Sequence, residues 1–181
     1  MKKLSSYIVM LLMGMATFSF SSCDEDTLIA MTLEGTWQGD MEIYHTYNGK
    51  NYEATWSEIC FEGNPFQWTS GSGYWLDYYP NSPWSRDYVA NHITWKVNNQ
   101  IIYIHFVEDN YDIAIHDYSL SDNYFYGTIW DGATRIDFSL RHVSSPNWND
   151  YYYGWDYYSK GENGKGEQIA PPVRHFGKIK E

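Results

Sequence analysis

Gly35-Thr36-Trp37-Gln38-Gly39-Asp40-Met41-Glu42-Ile43-Tyr44-His45-Thr46-Tyr47 alternates in polarity along most of its length. Trp37, Met41, Ile43 and Tyr47 fall on odd positions, and Thr36, Gln38, Asp40 and Glu42 on even ones. A period of two puts the first set on one face of a strand and the second on the other, the pattern of a strand half in a core and half in water. Asn48-Gly49 follows, the pair that best tolerates the positive φ angles of a two-residue hairpin turn. Pairing Tyr47 with Lys50 across that turn sets Ile43 opposite Ala54, Met41 opposite Trp56 and Trp37 opposite Cys60. All of these sit on the apolar face, so this register predicts one long hairpin with Trp37 and Cys60 both inside.

Downstream the same alternation recurs. Phe66 to Trp68 and Tyr74 to Tyr78 read as strands interrupted by Ser70-Gly71-Ser72-Gly73, a bulge or sharp bend. Ile93, Trp95 and Val97 share a face, Asn98-Asn99 turns the chain, and Ile102, Ile104 and Phe106 return on that face. Glu108-Asp109-Asn110 and Ser121-Asp122-Asn123 supply further turns on either side of Ile113 and Ile115. Tyr124 to Trp130 and Thr134 to Arg141 are joined by Asp131-Gly132, which pairs Trp130 with Ala133 and sets Phe125 opposite Phe138. The sum is all-β: about eight antiparallel strands joined by short turns, with no helix expected. A meander of this kind exposes two sheet edges unless it closes, so the pattern predicts an up-and-down barrel.

Gly35-Thr36-Trp37, a G-x-W at the opening of the first strand, resembles the motif that begins lipocalin-like (calycin-type) barrels, over Leu33 to about His142. The resemblance implies that Trp37 plugs one end of the barrel and that the other end is open to a small ligand.

Before the barrel, Lys2 and Lys3 precede an apolar run from Tyr7 to Phe20. That is the layout of a secretory signal peptide, and the run is too short for the ~20 apolar residues of a membrane span. Ser19-Phe20-Ser21-Ser22-Cys23 is similar to the lipobox of bacterial lipoproteins, with Phe20 where that pattern prefers Leu. The resemblance implies cleavage after residue 22, a lipid on Cys23, and a protein held at the outer membrane. Asp24-Glu25-Asp26 resembles a surface-export signal of one group of Gram-negative bacteria, and residues 23–32 read as an acidic tether.

Of 181 residues, 12 are Lys or Arg and 23 Asp or Glu, giving a net charge of −11. The deficit of cations lies in the barrel segment. An anionic domain repels phosphate backbones, which excludes nucleic-acid binding, and it stands off anionic lipid heads, which leaves the lipid on Cys23 as the link to the membrane. With Cys23 lipidated, Cys60 has no disulfide partner and must be buried, and two cysteines cannot build a thiolate metal site.

Nothing in the chain suggests a reaction or a cofactor. There is no G-x-S-x-G, and His105 and His116, placed on the outer face of neighbouring strands, read as surface histidines rather than metal ligands. Glu108, Asp109 and Asp112 read as a solvated turn. His45 lies on the apolar face near a strand end, either lining the barrel mouth or hydrogen-bonded in the core. Tyr74, Trp75, Tyr78, Tyr79 and Trp84 surround an irregular loop. Flat aromatic faces there suit sugar rings or a protein partner, or they are strand-packing residues. From Val143 the chain changes character, with an aromatic run from Trp148 to Tyr158, a Gly-rich charged stretch and Pro171-Pro172. Residues 143–181 read as a largely disordered tail. The expected function is non-catalytic binding of a small amphipathic ligand or a partner. The alternative is a carbohydrate-binding accessory role through the aromatic loops.

Overall fold

The computed structural model describes residues 21–84, 86–131, 134–155 and 171–179. Residues 1–20 of the signal peptide expected over 1–22 therefore lie outside the described residues, as do the last residues of the aromatic run and the Gly-rich stretch after it.

Eight antiparallel strands form a closed barrel. β1 (Gly35–Asp40) pairs with β4 (Trp56–Asn64) on one side and β10 (Thr134–Val143) on the other. β5 (Gln67–Tyr78), β6 (Tyr88–Asn98), β7 (Ile101–Phe106), β8 (Tyr111–Leu120) and β9 (Tyr124–Asp131) complete the circuit in chain order. Closure leaves no free edge in the barrel. β2 (Ile43–Tyr47), β3 (Lys50–Glu53) and β11 (Val173–Phe176) make a separate three-stranded sheet in the order β11-β2-β3.

The long hairpin expected from Gly35 to Cys60 is two hairpins. Tyr47 pairs with Lys50 as predicted, and the Ala54 amide donates to the Ile43 carbonyl at 2.8 Å. At Glu42, however, φ is 48° and the amide turns back onto Asp40 Oδ1 at 2.8 Å. This kink shifts the β1–β4 pairing by one residue, so Trp37 faces Ile59 and Cys60 faces Thr36. A one-residue shift reverses the faces. Trp37 stays inside the barrel, while Cys60 is buried on its outer surface with Leu76, Tyr88, Ala90 and Trp148. β9 and β10 differ from expectation by two residues, since Asp131 pairs with Thr134 and Phe138 with Gly127. An even shift leaves Phe125, Ile129, Ile136 and Phe138 in the core.

The expected break at Ser70–Gly73 is absent: β5 runs unbroken, and the bulge lies on its partner at Gly63/Asn64. The glycines serve close approach instead. A Cβ on Gly71 or Gly73 would collide with the backbone carbonyl of Glu62 or Cys60, so only glycine lets the sheet coil so tightly here.

Two segments outside the strands also depart from expectation. Residues 23–32 are not a solvated linker: Ser21–Leu33 is a helix, α1, laid across the end of the barrel where β1 starts. Asp26 is its polar anchor. Its carboxylate accepts the amides of Asn99 and Gln100 at 2.9 and 2.8 Å, in a β6–β7 turn whose two φ angles are positive. Ala30 and Leu33 are buried beside it. The described parts of the 143–181 segment are likewise packed, with Trp148 against the outside of the barrel and β11 on the β2 edge.

Candidate functional site

The barrel interior is filled with side chains. Trp37, Ile59, Phe61, Trp75, Ile93, Trp95, Ile104, Phe106, Ile115, Phe125 and Ile129 belong to one buried cluster. At the α1 end, Trp37 Nε1 donates to the Leu33 carbonyl at 2.8 Å, and its ring packs edge-on to Phe125 and His142. Gly35 makes this possible. Its φ is 120°, and a Cβ there would overlap the His142 imidazole.

The opposite end is closed by charge. Asp77 points inward from β5 and is fully buried. Its Oδ1 accepts Ser57 Oγ at 2.6 Å and Trp75 Nε1 at 2.8 Å. Its Oδ2 accepts Arg174 Nε at 3.0 Å and Arg174 Nη2 at 2.8 Å, the Arg arriving from β11. The same guanidinium reaches Asn91 Oδ1 at 2.7 Å and Asp109 Oδ2 at 2.9 Å, and lies 4.4 Å from the Phe106 ring centre. Burial disfavours its charge, but the two carboxylates reverse that and hold its pKa above the usual value. Such a site can keep a cation in a dry place, and its occupant is the chain's own Arg174.

His45 is buried beside this cluster and hydrogen-bonds through Nδ1 to the Tyr79 hydroxyl. Burial, then Arg174 and His175, push its pKa well down, so it is a neutral core histidine. Burial, then Asp77, raises the Tyr79 pKa well above its ordinary value.

The five aromatic residues expected to share one surface are divided by the fold. Trp75 is inside the barrel. Tyr79 and Trp84 form a buried aromatic nest with His45, Tyr47 and Tyr52. Tyr74 and Tyr78 face outward but are covered: Tyr74 stacks on Trp148 at 5.0 Å and Tyr78 on Trp56 at 4.0 Å. No shared aromatic platform results. Alternation along β5 separates Tyr74 from Trp75, a signal already present in the sequence. Burial pushes the Cys60 thiol pKa up. Residue 23 lies in the first turn of α1.

An open groove lies on the outer surface of β5 to β8, where no site was expected. The Pro65-Phe66 tip of the β4–β5 hairpin overhangs it, and Ser70, Ser72, Thr94, Lys96, Tyr103, His105 and Asp112 line it, enclosing about 960 Å³. Lys96 Nζ sits 5.3 Å from the Tyr103 ring centre, within cation–π range. His105 Nδ1 bonds Asp112 Oδ1 at 2.9 Å. These two residues are directly opposed in the β7–β8 register, whereas His116 pairs with Thr128 on β9. The groove thus places one cation and one His–Asp pair beside exposed aromatic surface. Among the described residues, no cluster of His, Cys, Asp and Glu is arranged to hold a metal.

The model of the lipocalin-like domain matches residues 33–126. A redesigned β-barrel is similar in structure, at 12% identity over 64% of this chain and 95% of that one, with a TM-score of 0.36. No curated protein matches. Lipocalin-like domains are typically binding proteins rather than enzymes. With the family model covering more than half of the chain, over the segment that opens with Gly35-Thr36-Trp37, and with the barrel closed, the chain belongs to the lipocalin-like domain family.

Proposed function

We propose that this is a lipid-anchored, non-catalytic binding protein of the bacterial outer membrane, displayed at the cell surface. In this reading it holds a small amphipathic ligand in the groove under the β4–β5 hairpin. The observation that carries the reading is the contrast between a filled barrel and an open groove of about 960 Å³. A filled core leaves a ligand no room inside without displacing β11, whereas the groove offers Phe66 and Tyr103 to an apolar body and Lys96 to an anionic head. Clefts of this size, apolar with a few placed polar groups, are the usual shape of a small-molecule site. The lipid anchor rests on the lipobox at Cys23. A glycan has no comparable support, because Tyr74, Trp75, Tyr78, Tyr79 and Trp84, the residues expected to stack on it, are buried or covered.

The test uses anilinonaphthalene sulfonate, an amphipathic anion whose fluorescence rises on apolar surfaces. Phe66→Ala and Lys96→Glu should each weaken its binding about tenfold, the gap that ~1.4 kcal/mol makes, and His116→Ala should leave it unchanged. Unaltered titrations for Phe66→Ala and Lys96→Glu would remove the groove as the site. For the anchor, labelled palmitate should enter the wild-type chain and not Cys23→Ala, and incorporation into the variant refutes it.

A further inference from the structure

The three most exposed large apolar side chains among the described residues are Phe66 (89%), Trp68 (69%) and Leu28 (64%), with Met31 also high at 57%. All four lie at one end of the barrel. Phe66 and Trp68 sit at the β4–β5 tip, beyond the point where Phe61 pairs with Gly35. Leu28 and Met31 belong to α1, which ends two residues before Gly35. On the helix, Asp26, Ala30 and Leu33 face the barrel and are buried. At 100° per residue, Leu28 and Met31 project from the opposite face, away from the barrel. A lipoprotein folded in water gains nothing by holding Leu and Met outward on its outermost helix and Phe and Trp on a neighbouring tip.

We propose that the α1 end of the barrel lies against a lipid surface, with Leu28, Met31, Phe66 and Trp68 in the headgroup–acyl boundary. This rests on the reading of Cys23 as the lipidated residue. The helix makes the two compatible. Residue 23 is five positions before Leu28, about 8 Å along the helix axis at 1.5 Å per residue, so a lipid on residue 23 holds this face within reach of the bilayer. The lipid on residue 23 supplies the attachment, and apolar side chains beside it set which face of the barrel meets the bilayer. Trp is suited to the position, having an apolar body and a polar edge. The attraction is apolar rather than electrostatic, since the chain carries a net −11, so it is insensitive to salt. In this orientation the Phe66 wall of the groove stands at the lipid surface, and an amphipathic ligand reaches it along the membrane plane.

The experiment uses full-length, lipidated protein in phosphatidylcholine vesicles, with brominated acyl chains as a quencher from the lipid side and iodide from the water side. Trp68 emission is taken as the difference between wild type and Trp68→Phe. The expected result is strong quenching by brominated lipid and protection from iodide, at low and high salt alike. A Leu28→Ser, Met31→Ser double variant should shift Trp68 from lipid toward iodide quenching without losing its fatty acid. If labelled palmitate enters the chain and it sediments with vesicles, yet Trp68 is quenched by iodide and not by lipid, the orientation is wrong while the anchor stands. The patch would then face water or a protein partner. If no palmitate is incorporated and the chain stays in the supernatant, the anchor reading fails and this proposal with it.

Discussion

Trp37 and Arg174 hold corresponding places at the two ends of the barrel. Each fills the end of a closed sheet, and each is almost fully buried. Trp37 does so with apolar area and one hydrogen bond to a residue four positions away. Arg174 does so with charge, bonded to Asp77, Asn91 and Asp109 from positions 65 to 97 residues distant. An apolar plug tolerates imperfect surroundings, losing stability in proportion to the area or cavity involved. A buried ion pair is all or nothing: complete, it roughly offsets its own desolvation, and with one partner gone it leaves a bare charge in the core.

That contrast predicts unequal responses to repair. Arg174→Ala should cost about 3–5 kcal/mol, because Asp77 is left charged and unpaired, a large share of the ~5–15 kcal/mol a domain has. Adding Asp77→Asn to Arg174→Met should recover most of that loss. Trp37→Ala should cost a similar 3–5 kcal/mol through its cavity, but no second polar substitution should restore it. Urea unfolding midpoints of the three variants decide the matter. If Arg174→Ala costs under about 1 kcal/mol, β11 is a loose flap and not a closure.

The same difference explains what could be read in advance. The Trp37 end was legible because its information is local, in a G-x-W and a period of two. The barrel followed from repetition of that period, and two-residue errors of register at Asp131 did no harm because they conserve the faces. The one-residue error did harm: nothing local announced that Glu42 would take a φ of 48°, and Cys60 moved from the inside to the outside. The Arg174 end was not legible. Asp77 offered one clue, a carboxylate on the inward phase of β5 next to Trp75, but its partner lies beyond a low-complexity stretch that reads as disorder. Helix α1 was hidden for a related reason. Its acidic start reads as a linker until the Asn99-Gln100 amides are seen to need an acceptor. The groove depends on how tightly glycines let β5 coil, which no periodicity encodes.

Asp26 offers a smaller test at the α1 end. Asp26→Ala deletes two charge-assisted hydrogen bonds to turn amides, and each such bond contributes about 1.5–3 kcal/mol. With water able to replace part of this, a loss of about 2 kcal/mol is expected, together with faster amide exchange at Asn99 and Gln100. Unchanged exchange there would mean that α1 is not held by its carboxylate.

At the charged end, His45 should give a pH signature that the Trp37 end lacks. Its folded pKa is depressed, so it stays neutral in the fold while the unfolded chain takes up a proton near pH 6.5. The unfolded state then binds more protons, and stability falls as pH drops below about 6.5, by at most ~1.4 kcal/mol per pH unit. Above that pH the contribution is flat. His45→Gln should therefore show a shallower loss between pH 7 and pH 5 than wild type. Parallel curves for the two proteins would mean that His45 takes up protons in the fold as readily as in the unfolded chain.

The last prediction concerns Cys60 and is read in reactivity rather than in stability. In the expected register its thiol faced Trp37; in the fold it lies outside the sheet, between Thr36 and the Trp148 segment. The two placements name different guards. If the fold is right, Trp148→Ala uncovers the thiol, and its reaction with a thiol reagent in native buffer rises at least tenfold while the barrel stays folded. Reactivity is slow to begin with, because burial raises the thiol pKa and withholds the thiolate. Trp37→Ala, studied at a temperature where the barrel remains intact, should leave the rate near that of wild type, since the cavity opens on the other side of the sheet. The reverse outcome, fast modification in Trp37→Ala and protection in Trp148→Ala, would restore the simple hairpin register. It would also take away the packing that ties Trp148 and its neighbours to the barrel.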